Sequence, residues 1–126
     1  MVSLNREDEA SGPVVSGFAG NAFRVADRIV PGGLWLTPDD AKDWDAPSVE
    51  ALEAPSLAGL LAISPPPEFL LLGTGDMLKR PPAKFVAALE AQEIGVEAMD
   101  SRAAARAWGL LRGEERWIVA ALMPLG

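Results

Sequence analysis

Residues 68–124, EFLLLGTGDMLKRPPAKFVAALEAQEIGVEAMDSRAAARAWGLLRGEERWIVAALMP, decide the fold because strand and helix signals alternate along them. The unbroken apolar run at 69–72 is typical of a strand covered on both faces, which predicts a central strand. A pair of prolines, Pro81 and Pro82, then begins a helix. Parallel pairing is expected wherever a helix separates two such strands.

A second helix and a final strand complete this segment. The strand at 96–99 is followed by Asp100 or Ser101 as the cap of the next helix, which we expect to end at Gly109. The helix carries an apolar stripe of Ala104, Trp108 and Leu111. A turn then leads into a last strand at 117–123, so the segment predicts strands and helices in alternation.

The first half of the chain has a different pattern. Short segments at 14–15, 21–25 and 28–37 are rich in β-branched and aromatic residues, and glycine and proline separate them, which predicts antiparallel strands or hairpins. Residues 38–54 contain many acids and are expected to form a loop, after which Ser56 is expected to cap a short helix. The whole chain is therefore predicted to be α/β or α+β with a mixed sheet.

Length and composition limit the organisation of the chain and its chemistry. At 126 residues with 49% hydrophobic residues, one domain is expected at 13–126, preceded by a flexible N-terminal arm at 1–12. The sequence contains no cysteine and no histidine, which excludes disulfides, thiol nucleophiles and thiolate metal sites. It also removes the usual proton shuttle at neutral pH. We expect neither an enzyme nor a cofactor.

The charge of the chain restricts its partners. A net charge of −7 repels nucleic acid and anionic lipid, so neither is expected as a main partner. The N-terminal residues lack the pattern of a secretory signal, and no apolar run approaches the ~20 residues that a spanning helix needs. A cytoplasmic protein without direct membrane insertion is therefore expected, as a monomer or weak homo-oligomer.

Several short pieces of the sequence, in this order and spacing, carry a family resemblance. They are LLLGTG at 70–75, the two prolines at 81–82, GVEAMD at 95–100, AAAR at 103–106, and VAALMP at 119–124 after Arg116. Over most of residues 14–124 the chain resembles a family of small uncharacterised bacterial and archaeal proteins related to mitochondrial complex I assembly factor 3.

The resemblance implies a single three-layer β/β/α domain, with a mixed sheet and the helices on one side. It implies no established enzyme activity. It suggests instead a role in the assembly of respiratory or other membrane complexes, and hence a protein partner. Relatives tend to have an aromatic residue and an asparagine where this chain has Trp108 and Gly109, so a ligand role of that asparagine does not carry over.

The turn Gly73-Thr74-Gly75 follows the predicted central strand and is a candidate anion site. Its backbone N–H groups, with Lys79 and Arg106 as cations, would suit a small anionic ligand. The alternative is a purely structural turn. The dinucleotide-binding pattern G-x-G-x-x-G is incomplete because residue 78 is leucine.

Arg102, Arg106 and Trp44 are candidates for a protein interface. The two arginines are spaced i and i+4 on one helix face and would suit a carboxylate or phosphate, and the resemblance favours Arg106. Trp44 is expected in an acidic loop, where a large aromatic side chain can anchor a partner. The alternatives are a solvated helix face and a tryptophan packed against its own loop.

Four aspartates, Asp39, Asp40, Asp43 and Asp45, raise the question of magnesium or calcium binding. Their spacing does not match a calcium-binding loop, because the required glycine and the closing acid are missing. We therefore expect no metal site there, and a solvated acidic loop instead.

Two functions remain open at this stage. The first is a non-enzymatic protein-interaction module that could serve as an assembly factor for a respiratory or other membrane-associated complex. The second is a small anionic-ligand-binding protein that uses the Gly73-Thr74-Gly75 turn. A pocket at that turn would favour the second function, and a flat surface that contains Trp44 would favour the first.

Overall fold

The computed structural model describes residues 12–126, which form eight β-strands and three α-helices. In chain order these elements are β1 (Val15–Ala19), β2 (Ala22–Val25), β3 (Arg28–Val30), β4 (Gly33–Leu36), β5 (Ala41–Trp44), α1 (Ala58–Leu61), β6 (Phe69–Gly73), α2 (Ala83–Glu90), β7 (Gly95–Met99), α3 (Ser101–Gly113) and β8 (Val119–Leu122). Two short 3-10 turns, Val49–Ala51 and Ala54–Leu57, precede α1.

The strands form two separate sheets. The first has the order β1-β2-β3 and is antiparallel. The second has the order β5-β4-β8-β6-β7, in which β8, β6 and β7 are mutually parallel and β4 runs antiparallel to both β5 and β8. The predicted α+β class with a mixed sheet is confirmed.

Strand β6 lies in the interior of the five-stranded sheet, as its apolar run predicts. Leu71 belongs to the core between this sheet and the small one, whereas Leu70 and Leu72 belong to a second core on the opposite face. All three leucines are at most 1% exposed. A continuous apolar run is required here because successive side chains of a strand point to opposite faces, and both faces are covered.

The helices do not all lie on one side of the five-stranded sheet, in contrast to the expectation. Phe85 and Leu89 of α2 pack in the same core as α1, whereas Ala104 and Trp108 of α3 pack in the core beneath the small sheet. The strand order explains this. The connection from β6 to β7 moves outward and that from β7 to β8 moves back across β6, so two right-handed crossovers place their helices on opposite faces.

The predicted loop at 38–54 contains an edge strand, β5, which pairs with β4. Residues opposite each other include Trp35 with Lys42 and Gly33 with Trp44. The sequence did not predict this strand because aspartate is rare in sheets. Charged residues are nevertheless common on an exposed edge strand. The expected Ser56 cap is also wrong: Ser56 lies inside the second 3-10 turn and its hydroxyl donates to the Glu53 carbonyl.

Helix α3 begins as predicted and ends later than predicted. The Asp100 carboxylate accepts a hydrogen bond from the Ala103 N–H at 3.0 Å, which confirms Asp100 as the cap. The helix continues through Gly109 to Gly113. Trp108 of the apolar stripe is fully buried and lies about one turn before the end of the helix. Its packing outweighs the ~1 kcal/mol that a glycine such as Gly109 costs inside a helix.

The start of the described chain packs against α3. The Trp108 indole N–H donates to the Pro13 carbonyl at 2.8 Å. Residues 1–11 of the predicted arm lie outside the described residues.

An exposed ion pair joins the beginnings of β6 and β8. The Arg116 guanidinium donates to both carboxylate oxygens of Glu68, with Nη2 2.7 Å from Oε1, and the Trp117 N–H donates to Oε2 at 3.2 Å. The Arg116 hydrogen bonds first, and the Trp117 amide second, lower the pKa of Glu68 below its ordinary 4.5. Both side chains are largely solvated, so the pair adds little to the stability of the fold.

The Glu68→Gln substitution should therefore have a pH-dependent cost. A lowered folded-state pKa means that the stabilisation is present above pH 4.5 and is lost as the pH falls through the folded value. Urea unfolding should show wild type more stable than Glu68→Gln by up to about 1 kcal/mol at neutral pH, with the difference shrinking below pH 4.5. Glu90→Gln, at an exposed helical acid, is the control, and a pH-independent difference for Glu68→Gln would contradict the assignment.

Candidate functional site

The candidate site lies at the carboxyl edge of the three parallel strands. Thr74 and Gly75 follow β6, Ser101 follows β7, and Met123 follows β8. The helices after β6 and β7 lie on opposite faces of the sheet, so the strand connections diverge between these two strands. Ligands of open α/β sheets characteristically bind at this kind of divergence.

The hydroxyl of Ser101 occupies this position. It accepts a hydrogen bond from the Gly75 N–H at 2.9 Å and donates to the Met123 carbonyl at 2.8 Å. The Ser101 N–H also donates to the Gly75 carbonyl at 2.8 Å. Ser101 has no exposed surface. One buried hydroxyl thus joins the turn after β6 to the end of β8.

The other polar groups of the turn are also bonded within the protein. The Thr74 N–H donates to the Met99 carbonyl at 2.9 Å, and its hydroxyl donates to the Met77 carbonyl and accepts from the Lys79 N–H. Gly75 has a φ of 105°, a conformation that favours glycine. An anion at the Thr74 or Gly75 amide would have to replace one of these internal hydrogen bonds. Anion binding at Gly73, Thr74 and Gly75 therefore stays a prediction.

The N-terminus of α3 already carries a negative charge of its own. The Asp100 carboxylate bonds the Ala103 N–H, which is a position that a bound anion would otherwise favour. The cap therefore competes with any anion at this helix end.

The two arginines of the helix face have different environments. Arg102 is partly buried: its guanidinium lies 5.5 Å from the centre of the Phe18 ring and Nη2 donates to the Gly20 carbonyl, so it holds α3 against β1. Arg106 is exposed and has no ion pair or hydrogen bond with the part of the chain that the structure describes. Of the two, Arg106 is the one available to a partner.

Trp44 is half-buried in strand β5 and does not lie in a loop. Its ring lies 6.1 Å from that of Trp35 at an angle of 38°, and both rings pack against the core beside α1 and α2. Next to it, Asp43 forms an ion pair of 3.0 Å with Arg28 of the small sheet. Within residues 12–126, no three acidic side chains converge on a possible metal site.

The loop that follows the turn exposes two large apolar residues that the sequence did not single out. Met77 and Leu78 are large apolar side chains in solvent, and Lys79 and Arg80 follow them. Lys79 lines a cleft of about 450 Å³ with Leu78, Pro81 and Ala98 of β7. A run of two apolar residues between Asp76 and two cations was the available sequence signal for this surface.

A second concave feature lies on the face of the sheet that carries α1 and α2. A groove of about 440 Å³ runs between the second 3-10 turn and α2, with Pro55 on one wall and Phe85 and Ala88 on the other. We call it the Pro55–Phe85 groove. It contains none of the residues that the sequence predicted for a site.

The described part of the chain defines a class of protein: a small α+β domain in which a three-stranded sheet and one helix cover one face of a mixed five-stranded sheet. A family model described as a protein of unknown function (DUF498/DUF598) matches residues 15–123, and the chain belongs to this family. No described helix has both the length and the apolar character required to cross a membrane.

The chain is similar to proteins of both animals and bacteria. It is 28% identical over 123 residues to the Danio rerio protein NADH dehydrogenase (ubiquinone) 1 alpha subcomplex assembly factor 3, a match that covers 98% of this chain and 71% of that protein. It is 30% identical over 111 residues to an uncharacterized protein of Rhodobacter capsulatus, which covers 88% of this chain and 84% of the relative.

Solved structures show the same fold. The crystal structure of a Bordetella parapertussis protein has a TM-score of 0.81 and 29% identity, covering 89% of this chain and 95% of that one. The solution structure of a Bordetella pertussis Mth938-like domain has a TM-score of 0.77 and 26% identity, with 92% and 88% covered. The predicted family relationship is confirmed.

Glycine-to-alanine substitutions at two positions test the close approach of Ser101 to β6. A Cβ atom at Gly73 would lie 2.7 Å from Ser101 Oγ and 2.9 Å from Ser101 Cα, so Gly73→Ala should destabilise the fold by about 1–3 kcal/mol. At Gly109 a Cβ atom would meet nothing within 4 Å, so Gly109→Ala should stabilise helix α3 by about 0.5–1 kcal/mol. Chemical unfolding measures both, and equal effects would contradict the tight contact.

Proposed function

We propose that this protein is a non-enzymatic binding factor that assists the assembly of a respiratory or other membrane-associated complex. It acts in the cytoplasm, as a monomer or weak homo-oligomer, through contact with a protein partner. The observation that carries the proposal is the similarity to assembly factor 3 of Danio rerio along 98% of the chain. This similarity extends over both sheets rather than over one local motif.

The chemistry of the chain supports binding over catalysis. The sequence has no cysteine or histidine, so the common nucleophile and base pairs cannot be assembled from it. At the carboxyl edge, the amides of Thr74 and Gly75 and the hydroxyl of Ser101 serve internal hydrogen bonds. The groups left for recognition lie on the surface, and exposed Arg106 offers a guanidinium to a carboxylate of a partner.

Copurification from the native cells tests the assembly role. We expect the tagged, crosslinked protein to carry subunits or assembly components of a membrane-associated complex, identified by mass spectrometry. Arg106→Glu should reduce this recovery about 10-fold or more, because arginines are frequent centres of binding energy at interfaces. Arg24→Glu is the matched control, since it makes the same charge change at an exposed position in β2.

Two results would count against different parts of this proposal. Wild-type protein that recovers no such components would contradict the assembly role. Full recovery with a folded Arg106→Glu variant would keep the role but remove Arg106 from the interface.

The second candidate is a small anionic-ligand-binding protein that uses Gly73, Thr74 and Gly75 with Lys79 and Arg106. What favours it is the position of this turn where the strand connections diverge. Inorganic phosphate at millimolar concentration should then shift the backbone amide NMR signals of Thr74 and Gly75 as the internal hydrogen bonds yield. Unmoved signals for these two residues would exclude phosphate binding at the turn.

A further inference from the structure

Within residues 12–126, strand β7 is an open edge of the five-stranded sheet, because it pairs with β6 on one side and is the last strand in the order. The Gly95 N–H donates to the Glu68 carbonyl, and the Thr74 N–H donates to the Met99 carbonyl, so Gly95 and Met99 direct their backbone groups toward β6. In a parallel pair the backbone groups of alternate residues point the same way. Those of Val96 and Ala98 therefore point outward, toward the open edge.

A cleft lies directly beside this edge. Ala98 lines it together with Leu78 and Pro81 of the loop between β6 and α2, and its volume is about 450 Å³. Leu78 is 62% exposed and its neighbour Met77 is 58% exposed. Neighbouring large apolar side chains in solvent are a feature of surfaces that bind other proteins. The cleft has room for one apolar side chain of a strand that pairs with β7.

The same cleft carries positive charge on an otherwise acidic protein. Lys79 and Arg80 line it and are exposed, and neither forms an ion pair with any residue in the described range 12–126. The chain as a whole has a net charge of −7. A local pair of unneutralised cations on such a chain favours an acidic ligand at this place.

The two faces of β7 differ in a way that limits the ligand further. Val96 and Ala98 pack toward the core beside α2, which is also the side of the cleft. Glu97, between them, is exposed and points to the other face because side chains alternate along a strand. A matching strand would carry acidic and apolar side chains on the α2 side, and uncharged ones next to Glu97.

We propose that the β7 edge and the adjacent cleft bind an extended acidic segment of a partner protein by strand addition. The segment pairs its backbone with Val96 and Ala98, places an apolar side chain between Leu78 and Ala98, and directs carboxylates to Lys79 and Arg80. This inference rests on the proposed function, since it names a surface through which the protein would hold a partner.

A second copy of the chain fits this edge poorly. Antiparallel pairing of two full β7 strands about a two-fold axis places Glu97 directly opposite Glu97 of the other copy, and like charges opposite each other destabilise a sheet. An anionic membrane would be attracted to Lys79 and Arg80, but it would not pair with the Val96 and Ala98 backbone groups, and the net charge of −7 opposes it.

The test uses a defined peptide of about seven residues, which is a typical strand length. Threonine occupies its odd positions, and glutamate, leucine and glutamate occupy its even positions in that order. Titration into the full chain should shift the amide signals of Val96 and Ala98. Two control peptides separate charge attraction from backbone pairing. One has lysine in place of glutamate, and the other has its backbone nitrogens methylated along the pairing edge. Both should bind at least about 10-fold more weakly, since one loses charge complementarity and the other loses backbone pairing.

Charge reversal on the protein provides the matched variants. The double variant Lys79→Glu with Arg80→Glu should weaken peptide binding about 10-fold or more. Its control, Arg24→Glu with Lys42→Glu, makes the same charge change at exposed positions of β2 and β5 and should bind as wild type does. Both double variants should unfold at the wild-type temperature, because all four side chains are exposed.

Several results would overturn the inference. These are unmoved Val96 and Ala98 signals at millimolar peptide, equal binding of the methylated peptide, or shifts confined to the Pro55–Phe85 groove. Shifts of Val96 and Ala98 that grow with protein concentration alone would assign the edge to a second copy. Binding to phosphatidylglycerol vesicles without binding to the peptide would assign it to a membrane. Copurified partners that the Lys79 and Arg80 double variant retains would leave the assembly role standing and remove only this surface.

Discussion

The hydroxyl of Ser101 is the contact on which the arrangement of the parallel strands depends. It bonds the Gly75 N–H and the Met123 carbonyl at once, and it has no exposed surface. Without it, each of these two backbone groups would be unsatisfied inside the protein, at a cost of about 1–3 kcal/mol each. Gly73 allows the contact, because a side chain at that position would occupy the space of Ser101.

This contact also explains why the carboxyl edge has a different character from a typical ligand crevice. The strand connections diverge between β6 and β7, and such a divergence normally leaves a crevice. Here the hydrogen bonds of Ser101 hold the start of α3 in that crevice. The Asp100 carboxylate then satisfies the first turn of that helix. The polar groups at the centre are thus used for structure, and the exposed side chains beside this edge lie farther out, on the loop that carries Met77 and Leu78.

The sequence predicts those features that local signals determine. The apolar run of β6, the Asp100 cap and the burial of Trp108 all follow from residues close together in the chain, and each agrees with the structure. The features that it missed depend on distant partners. Strand order places α2 and α3 on opposite faces, and pairing with β4 makes a strand of residues 41–44 within the acidic segment at 38–54.

The candidate site shows the same division between local and distant information. Spacing alone makes Arg102 and Arg106 equivalent, since both lie on one helix face. Only the contact of Arg102 with Phe18 and Gly20, more than eighty residues earlier in the chain, separates them. No local sequence pattern contains that contact. The environment of a surface residue therefore cannot be predicted from its neighbours in the chain when its contacts are with distant residues.

The arrangement of charges argues for recognition at separate places on the surface. Lys79 lies in a cleft with Ala98 on the side of the sheet that carries α2, whereas Arg106 lies on α3, which packs on the opposite face. A single small anion that contacts both cations would have to reach around the edge of the sheet. An extended polypeptide has the length to follow that edge, and it also satisfies the outward backbone groups of β7, which a small anion does not. The geometry therefore favours a protein ligand over a small one.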